Sequence, residues 1–293
     1  MTFSKPKRRL KPGDRIFRPT RQRLGRLKRV LGVAAVFSAG YGNVGSSIYY
    51  ALGIVALAAV GATPIALGIA GILFIFTALT YAEGTAMLPE AGGSASFSTR
   101  AFNRATGFMA GWALLLSYIA TISMSAITIP PYLGLFWEPL KDSTIISTGS
   151  AMLIIILLMI VNVVGVKETS FINIGAAILD IVTQISLVVI GFILLYDPQL
   201  MLQRIVENWP SPDKLILGIA LASIAYTGIE TASQLAEETR LPEKRVPKAL
   251  ILMIFAVLTL FAGISLVSFL AMTPQELATE WARDPVAGIA ASI

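Results

Sequence analysis

Glu83, Asp180 and Glu230 are carboxylic acids set inside long apolar stretches of the sequence. An ionisable group at such a depth faces a bundle interior, pairs with a partner or lines a pathway. Asp180, about ten residues into its stretch, suits either a proton-coupling step or an interhelical structural bond. Glu230 likewise suits either ion coupling or a hydrogen bond that caps a helical break. Glu83, near the end of its stretch, is placed to pair with Arg100 or Arg104, while Lys141 and Asp142 read as solvated loop charges. The 293 residues contain no His and no Cys, which excludes imidazole bases and ligands, thiolate nucleophiles and disulfides. With no carboxylates paired at catalytic spacing either, the sequence is not that of an enzyme, and no cofactor or metal is expected.

A second kind of chemistry is offered by backbone. Ser38 to Ser47 (SAGYGNVGSS) is a patch of small and polar residues between apolar halves, with three glycines at midspan. Each Gly costs a helix about 1 kcal/mol relative to Ala. A helix interrupted here would expose N–H groups to a carboxylate and C=O groups to an ammonium. The other reading is close helix packing through Gly42 and Gly45. A second irregular point is Ala225-Tyr226-Thr227-Gly228-Ile229-Glu230, where Tyr226 is placed to act as an aromatic lid.

The elements that must carry these groups are membrane helices. The chain is 55% hydrophobic and 14% charged, against roughly 45–50% and 25% in soluble domains. Its apolar runs predict seven spans, at 31–60, 65–88, 106–135, 149–165, 171–195, 214–235 and 248–271, within a transmembrane domain over 31–271. The fourth is short and is expected to recruit flanking residues. Residues 272–293 are expected to form an outer loop. Pro242 is expected to stop the sixth span and Pro247 to open the seventh. The loop 89–105, with Gly92-Gly93 at a tight turn, suits an interfacial helix or a gate.

The net charge of +6 divides unevenly. Residues 1–30 hold 12 Lys/Arg and one Asp, whereas 31–293 hold 11 Lys/Arg and 16 Asp/Glu. The basicity is therefore a tail before the first span, read as a cytoplasmic anchor on the lipid bilayer rather than a nucleic-acid surface. The tail lacks the small-residue cleavage site of a secretory signal. The loops on its side hold six further Lys/Arg and those opposite hold three, so the protein is read as multi-pass in the inner (plasma) membrane with a cytoplasmic N terminus. A retinal pump fits poorly because 249–271 has no lysine, and so does a seven-helix receptor, whose N terminus lies outside.

Three separated motifs carry a resemblance. Gly42-Asn43-Val44-Gly45-Ser46-Ser47-Ile48-Tyr49 resembles the glycine-rich first-helix break of the amino acid–polyamine–organocation (APC) superfamily of permeases, in its prokaryotic amino acid permease branch. Pro89-Glu90-Ala91-Gly92-Gly93-Ser94 is similar to that family's Pro-x-x-Gly-Gly loop. Tyr226 to Glu230, with Glu237, Glu238 and Pro242 to Pro247, is similar to its sixth helix and following loop. The resemblance covers roughly residues 30 to 271.

It implies an all-α polytopic membrane protein, the N-terminal part of a LeuT-like 5+5 inverted-repeat transporter with discontinuous helices 1 and 6. It implies secondary active transport of an amino acid or related amine by alternating access, with proton symport or exchange. An ion channel or non-transporting scaffold is the alternative. By the same resemblance Gly45, Ser46 and Ser47 offer N–H groups to a substrate carboxylate. Ala39, Gly40 and Ala225 offer carbonyls to its amine, with Tyr226 and Gly228 at the sixth-helix break. Ser47 stands where the family usually has glycine, and Asp180 falls near a position held by lysine in some proton-coupled relatives. The family's second repeat would continue past the seventh helix, so a truncated chain is expected. Oligomeric state is left open.

Overall fold

The structure, a computed structural model, describes residues 29–164 and 166–293. The basic tail predicted at 1–30 lies, up to residue 28, outside the described residues.

The protein is an all-α polytopic membrane protein. Among the described residues six segments are long and apolar enough to cross a bilayer: Val33–Met87, Arg104–Leu133, Thr144–Val163, Thr169–Leu195, Pro212–Glu238 and Pro242–Ala271. The first has 55 residues. As one straight helix it would run about 80 Å, far beyond the roughly 30 Å of a hydrocarbon core. It is divided instead into α1 (Val33–Gly45), α2 (Ile48–Ala59) and α3 (Thr63–Met87), joined by a turn at Ser46–Ser47 and a 3₁₀ turn at Val60–Ala62. The second turn is sharp: Val60 has φ 42°, an unfavourable conformation for a β-branched residue. The Gly61 N–H there donates to Asn208 O at 2.9 Å.

A short connector with Gly92 and Gly93 at positive φ leads to α4 (Ser94–Ala101), which has no buried residue and packs along α5 (Arg104–Leu133). Asn103 starts α5 by accepting the Thr106 N–H on its side chain at 3.0 Å. Then follow α6 (Pro139–Asp142), α7 (Thr144–Val164) and α8 (Val166–Leu195). The helix over the short fourth stretch begins five residues before 149. Asp197 caps α9 (Pro198–Glu207) through the N–H groups of Gln199 and Leu200, both at 3.0 Å.

The chain continues through α10 (Pro212–Ala225), a turn, α11 (Glu230–Gln234) and a 3₁₀ turn at Leu235–Glu238. Next come α12 (Pro242–Ala271), α13 (Pro274–Thr279) and α14 (Pro285–Ser292). Two expectations change here. Pro242 opens the next helix, at a position whose N–H is not needed, and Pro247 lies inside it; the preceding helix has already ended at Glu238. Residues 272–293 are two short helices rather than a loop, and Pro285 to Ile289 are buried.

The core is formed by the first segment and the last two. Half of the most apolar window is buried in Val33–Met87 and in Pro242–Ala271, against 6% in Arg104–Leu133 and Thr144–Val163. The most extensive helix packing joins α3 to α12, and α10 fills the space between α2 and α3. At the end nearest the basic tail, the N–H groups of Val30 and Leu31 donate to Glu238 O, and Arg240 N–H donates to Leu31 O. The residues before α1 are thereby tied to those after α11.

Candidate functional site

The ten-residue patch is helical to Gly45, so the interruption is confined to Ser46 and Ser47. Both keep right-handed helical torsions. Ser47 N–H donates to Val44 O at 3.0 Å, Tyr49 N–H to Ser46 O at 3.2 Å and Tyr50 N–H to Ser47 O at 3.3 Å. These are three-residue steps, a tightened turn rather than an unwound segment. The Ser47 N–H is thus already engaged. Both hydroxyls turn back on the preceding helix, Ser46 Oγ donating to Gly42 O at 2.6 Å and Ser47 Oγ to Asn43 O at 3.2 Å. Ser47 is fully buried, with Tyr50 Oη 2.9 Å from its Oγ, so the residue in the place of a family glycine points its side chain into packing.

The second interruption is more open. After Ala225, the N–H groups of Tyr226 and Thr227 donate to Ser223 O and Ile224 O, each at 3.2 Å. Gly228 then takes φ +107°, which an L side chain rarely adopts. The Gly228 N–H donates to Glu230 Oε2 at 3.1 Å, so the buried carboxylate holds the turn that leads into the short helix it begins. A Cβ on Gly228 would lie 2.5 Å from Asn43 Cγ, and Asn43 Nδ2 donates to Thr231 Oγ1 at 3.0 Å. The second interruption therefore meets α1 one turn before the first.

Five of the ten expected site residues line two cavities. Ala39, Ser46 and Asp180 line one of about 290 Å³, with Ser38, Gly42 and Asn173. Tyr41 Oη donates to Asp180 Oδ2 at 2.8 Å, as does Gln184 Nε2 at 2.8 Å. Gln184 Nε2 also lies 3.2 Å from Gly45 O, so α8 holds the last carbonyl of α1 as well as the acid. Tyr226 and Glu230 line the other, of about 300 Å³, with Phe74, Thr77, Tyr81 and Ser117. Tyr226 is buried between Phe74 and Phe261, at centroid distances of 5.1 and 5.2 Å, and its hydroxyl donates to Leu67 O at 3.0 Å. Its ring is fixed in the core.

Gly40 and Gly45 are buried in close packing. A Cβ on Gly40 would meet Met253, and one on Gly45 would meet the Tyr41 ring. Ala225 is fully buried at the end of α10. The acid that pairs with Arg100 is Glu90, at 2.6 Å, and not Glu83. Lys141 is not a free loop charge: its Nζ lies 3.0 Å from Asp284 Oδ2 and 5.0 Å from the centre of the Trp281 ring. Among the described residues no group of three or more acids could hold a metal ion.

Asn43, Thr231, Tyr41 and Gln184 are functional candidates that residue type alone did not single out. Only Gln184 had a local signal, standing four residues after Asp180 on the same helical face. Asn43 and Thr231 are 188 residues apart, and no short-range pattern links them.

A family model described as amino acid permease matches residues 31–292. The glutamate/serine transporter AimA of Bacillus subtilis is 25% identical over 280 residues, covering 89% of this chain and 51% of its own. The branched-chain amino acid permease BcaP of the same organism is 24% identical over 260 residues, covering 82% and 54%. The chloroplastic cationic amino acid transporter 9 of Arabidopsis thaliana is 27% identical over 278 residues, covering 87% and 47%. The chain spans about half the length of the curated relatives it matches.

Proposed function

The chain belongs to the amino acid permease family, and from that membership we propose that its protein is a secondary active transporter of an amino acid or related amine. Transport proceeds by alternating access across the plasma membrane, with proton symport or exchange as the driving reaction. The observation that carries the reading is the closeness of the two helix interruptions, Gly228 lying against Asn43 one turn before Ser46 and Ser47. Helix ends brought together in a bilayer supply partial charges of both signs, which suits a zwitterion better than a single ion.

In this reading α1 with α2, and α10 with α11, are the discontinuous first and sixth helices of a LeuT-like 5+5 inverted repeat in the prokaryotic branch. The first segment counts as two spans, seven in all, and the basic tail is cytoplasmic. Carbonyls of Ala39, Gly40 and Ala225 take the amine, N–H groups at Gly45 to Ser47 take the carboxylate, and Tyr226 and Gly228 shape the wall. The tightened turn at Ser46–Ser47 must open by a residue or so to free the Ser47 N–H. Asp180 and Glu230 are the two acids through which a proton would couple.

The relatives' names span acidic, branched-chain and cationic amino acids, and what they share is the amino acid class. The test is uptake by the intact protein in proteoliposomes. Saturable, stereoselective uptake of an amino acid, driven either by a pH gradient or by internal substrate, is expected. Ion current with no competition by any amino acid would overturn the reading.

A further inference from the structure

Asn43 is the residue at which the two interruptions are joined, and it uses three separate groups to do so. Its carbonyl accepts the Ser47 hydroxyl at 3.2 Å, which ties it to the turn after α1. Its amide nitrogen donates to Thr231 Oγ1 at 3.0 Å, in the first turn of α11. The flat of its amide covers Gly228, where any Cβ would fall 2.5 to 2.8 Å from its Cγ, Nδ2 and Oδ1. Gly228 is in turn the donor that Glu230 accepts, so one side chain sets the place of the whole turn from 228 to 231.

Asn43 is also only partly buried. It borders a cavity of about 520 Å³ between α5 and α7, whose lining includes Thr121, Ser125, Asn162, Ile154 and Leu158 and, among the described residues, no ionisable side chain. A polar side chain needed only for packing would be shut in the core; this one stands between the two interruptions and open space.

We propose that Asn43 is a positioning residue for solute binding. By holding Thr231 and Gly228 against the Ser46–Ser47 turn, it keeps the two sets of helix-end groups in the relative placement that a single solute requires. The inference rests on the transport reading above. The Thr231 hydroxyl can donate or accept, so the bond survives with reversed polarity when residue 43 offers only acceptors.

The test is uptake kinetics of the intact transporter in proteoliposomes, with each variant's protein amount measured. Loss of one hydrogen bond that holds a binding group is expected to raise KM by roughly tenfold with the maximal rate within about twofold. Asn43→Ala and Thr231→Val should each show this. The double variant should be no worse than either single one, because both remove the same bond. Asn43→Asp and Thr231→Ser should stay within about threefold of the parent, and they serve if Asn43→Ala fails to fold. Additive effects in the double variant, or a lower maximal rate with KM unmoved, would overturn the role of Asn43. Amide exchange over 227–232 without solute separates the two layers. Faster exchange in Asn43→Ala is expected, and unchanged exchange overturns the positioning role whatever the uptake. Faster exchange in a protein whose parent form takes up no amino acid overturns the transport reading instead.

Discussion

The Tyr41 hydroxyl donates to Asp180 Oδ2 at 2.8 Å while the Tyr41 ring lies over Gly45, where a Cβ would sit 2.5 Å from Cζ. The ring is further held by stacking on Phe37, with centroids 5.5 Å apart. Gly45 is therefore the seat of a side chain that is fixed at both ends, and it would matter even if its N–H met no solute.

Gly45→Ala should destabilise the protein by about 1–3 kcal/mol through overpacking, after about 1 kcal/mol of gain in helix propensity is offset. Thermal unfolding in detergent measures it. In a Tyr41→Ala background the same substitution should be nearly neutral or stabilising. An equal loss in both backgrounds would show that the ring is not the cause.

Lys141 and Asp284 join α6 to the start of α14, and the Asp284 side chain has no exposed surface. Its Oδ1 has no hydrogen-bond partner among the described residues, which leaves Lys141 as the main compensation for a desolvated charge. Removing one partner of a fully buried pair costs about 3–5 kcal/mol. Lys141 is itself 40% exposed, so Lys141→Met should cost less, about 1–3 kcal/mol. Asp284→Asn should cost less again, since no charge is stranded. Chemical unfolding of the three forms orders them, and equal stability of Lys141→Met and the parent would contradict the assignment.

Arg204 donates through one nitrogen to Phe269 O at 2.7 Å, Leu270 O at 3.1 Å and Met272 O at 3.0 Å. These carbonyls end α12, where the helix dipole favours a cation. Arg204→Ala should loosen the α12 end by about 1–2 kcal/mol, read as faster amide exchange over 268–273. Arg204→Lys should recover part of this, because an ammonium keeps the charge but not the planar fork.

Glu276 and Thr273 form a reciprocal cap on α13, Thr273 N–H donating to Glu276 Oε2 at 2.7 Å and Glu276 N–H to Thr273 Oγ1 at 3.3 Å. The Thr273 N–H and hydroxyl hold the Glu276 carboxyl below its usual range. A depressed value in the folded state means that the stabilisation is complete above the unfolded pKa, about 4.3, and fades as pH falls through the folded value. Exchange at 273–277 in the parent should accelerate relative to Glu276→Gln below about pH 4, since Gln keeps an acceptor at every pH. Identical pH profiles would remove the carboxylate from the cap.

Helix positions were legible because a bilayer demands long apolar runs, and each predicted span has a helix on it. What was not legible is what small and charged residues do once folded. Gly40 and Gly45 looked like helix breakers, yet they make room for Met253 and Tyr41 inside a continuous α1. Pro247 looked like a helix start, but Pro242 already supplies one. Lys141 looked solvated because its partner lies 143 residues further on. Asn43 lies inside a motif whose signal is its backbone, and the partner of its side chain, Thr231, is 188 residues away. Of the candidate site, the two interrupted places were readable from composition; their link through Asn43 was not.

The packing of α3 on α12 also sets a timetable. About 150 residues separate the end of α3 from the start of α12, and ribosomes add about 5–20 residues per second, so α3 waits roughly 10–30 s for its principal neighbour. Throughout that interval its face at Ala66, Ala70, Phe74 and Ala78, fully enclosed in the finished bundle, has to be covered by lipid, insertion machinery or a chaperone. The vulnerable moment in the life of this protein is therefore its synthesis, and substitutions in α12 that leave the assembled protein intact should still lower its yield by prolonging that exposure.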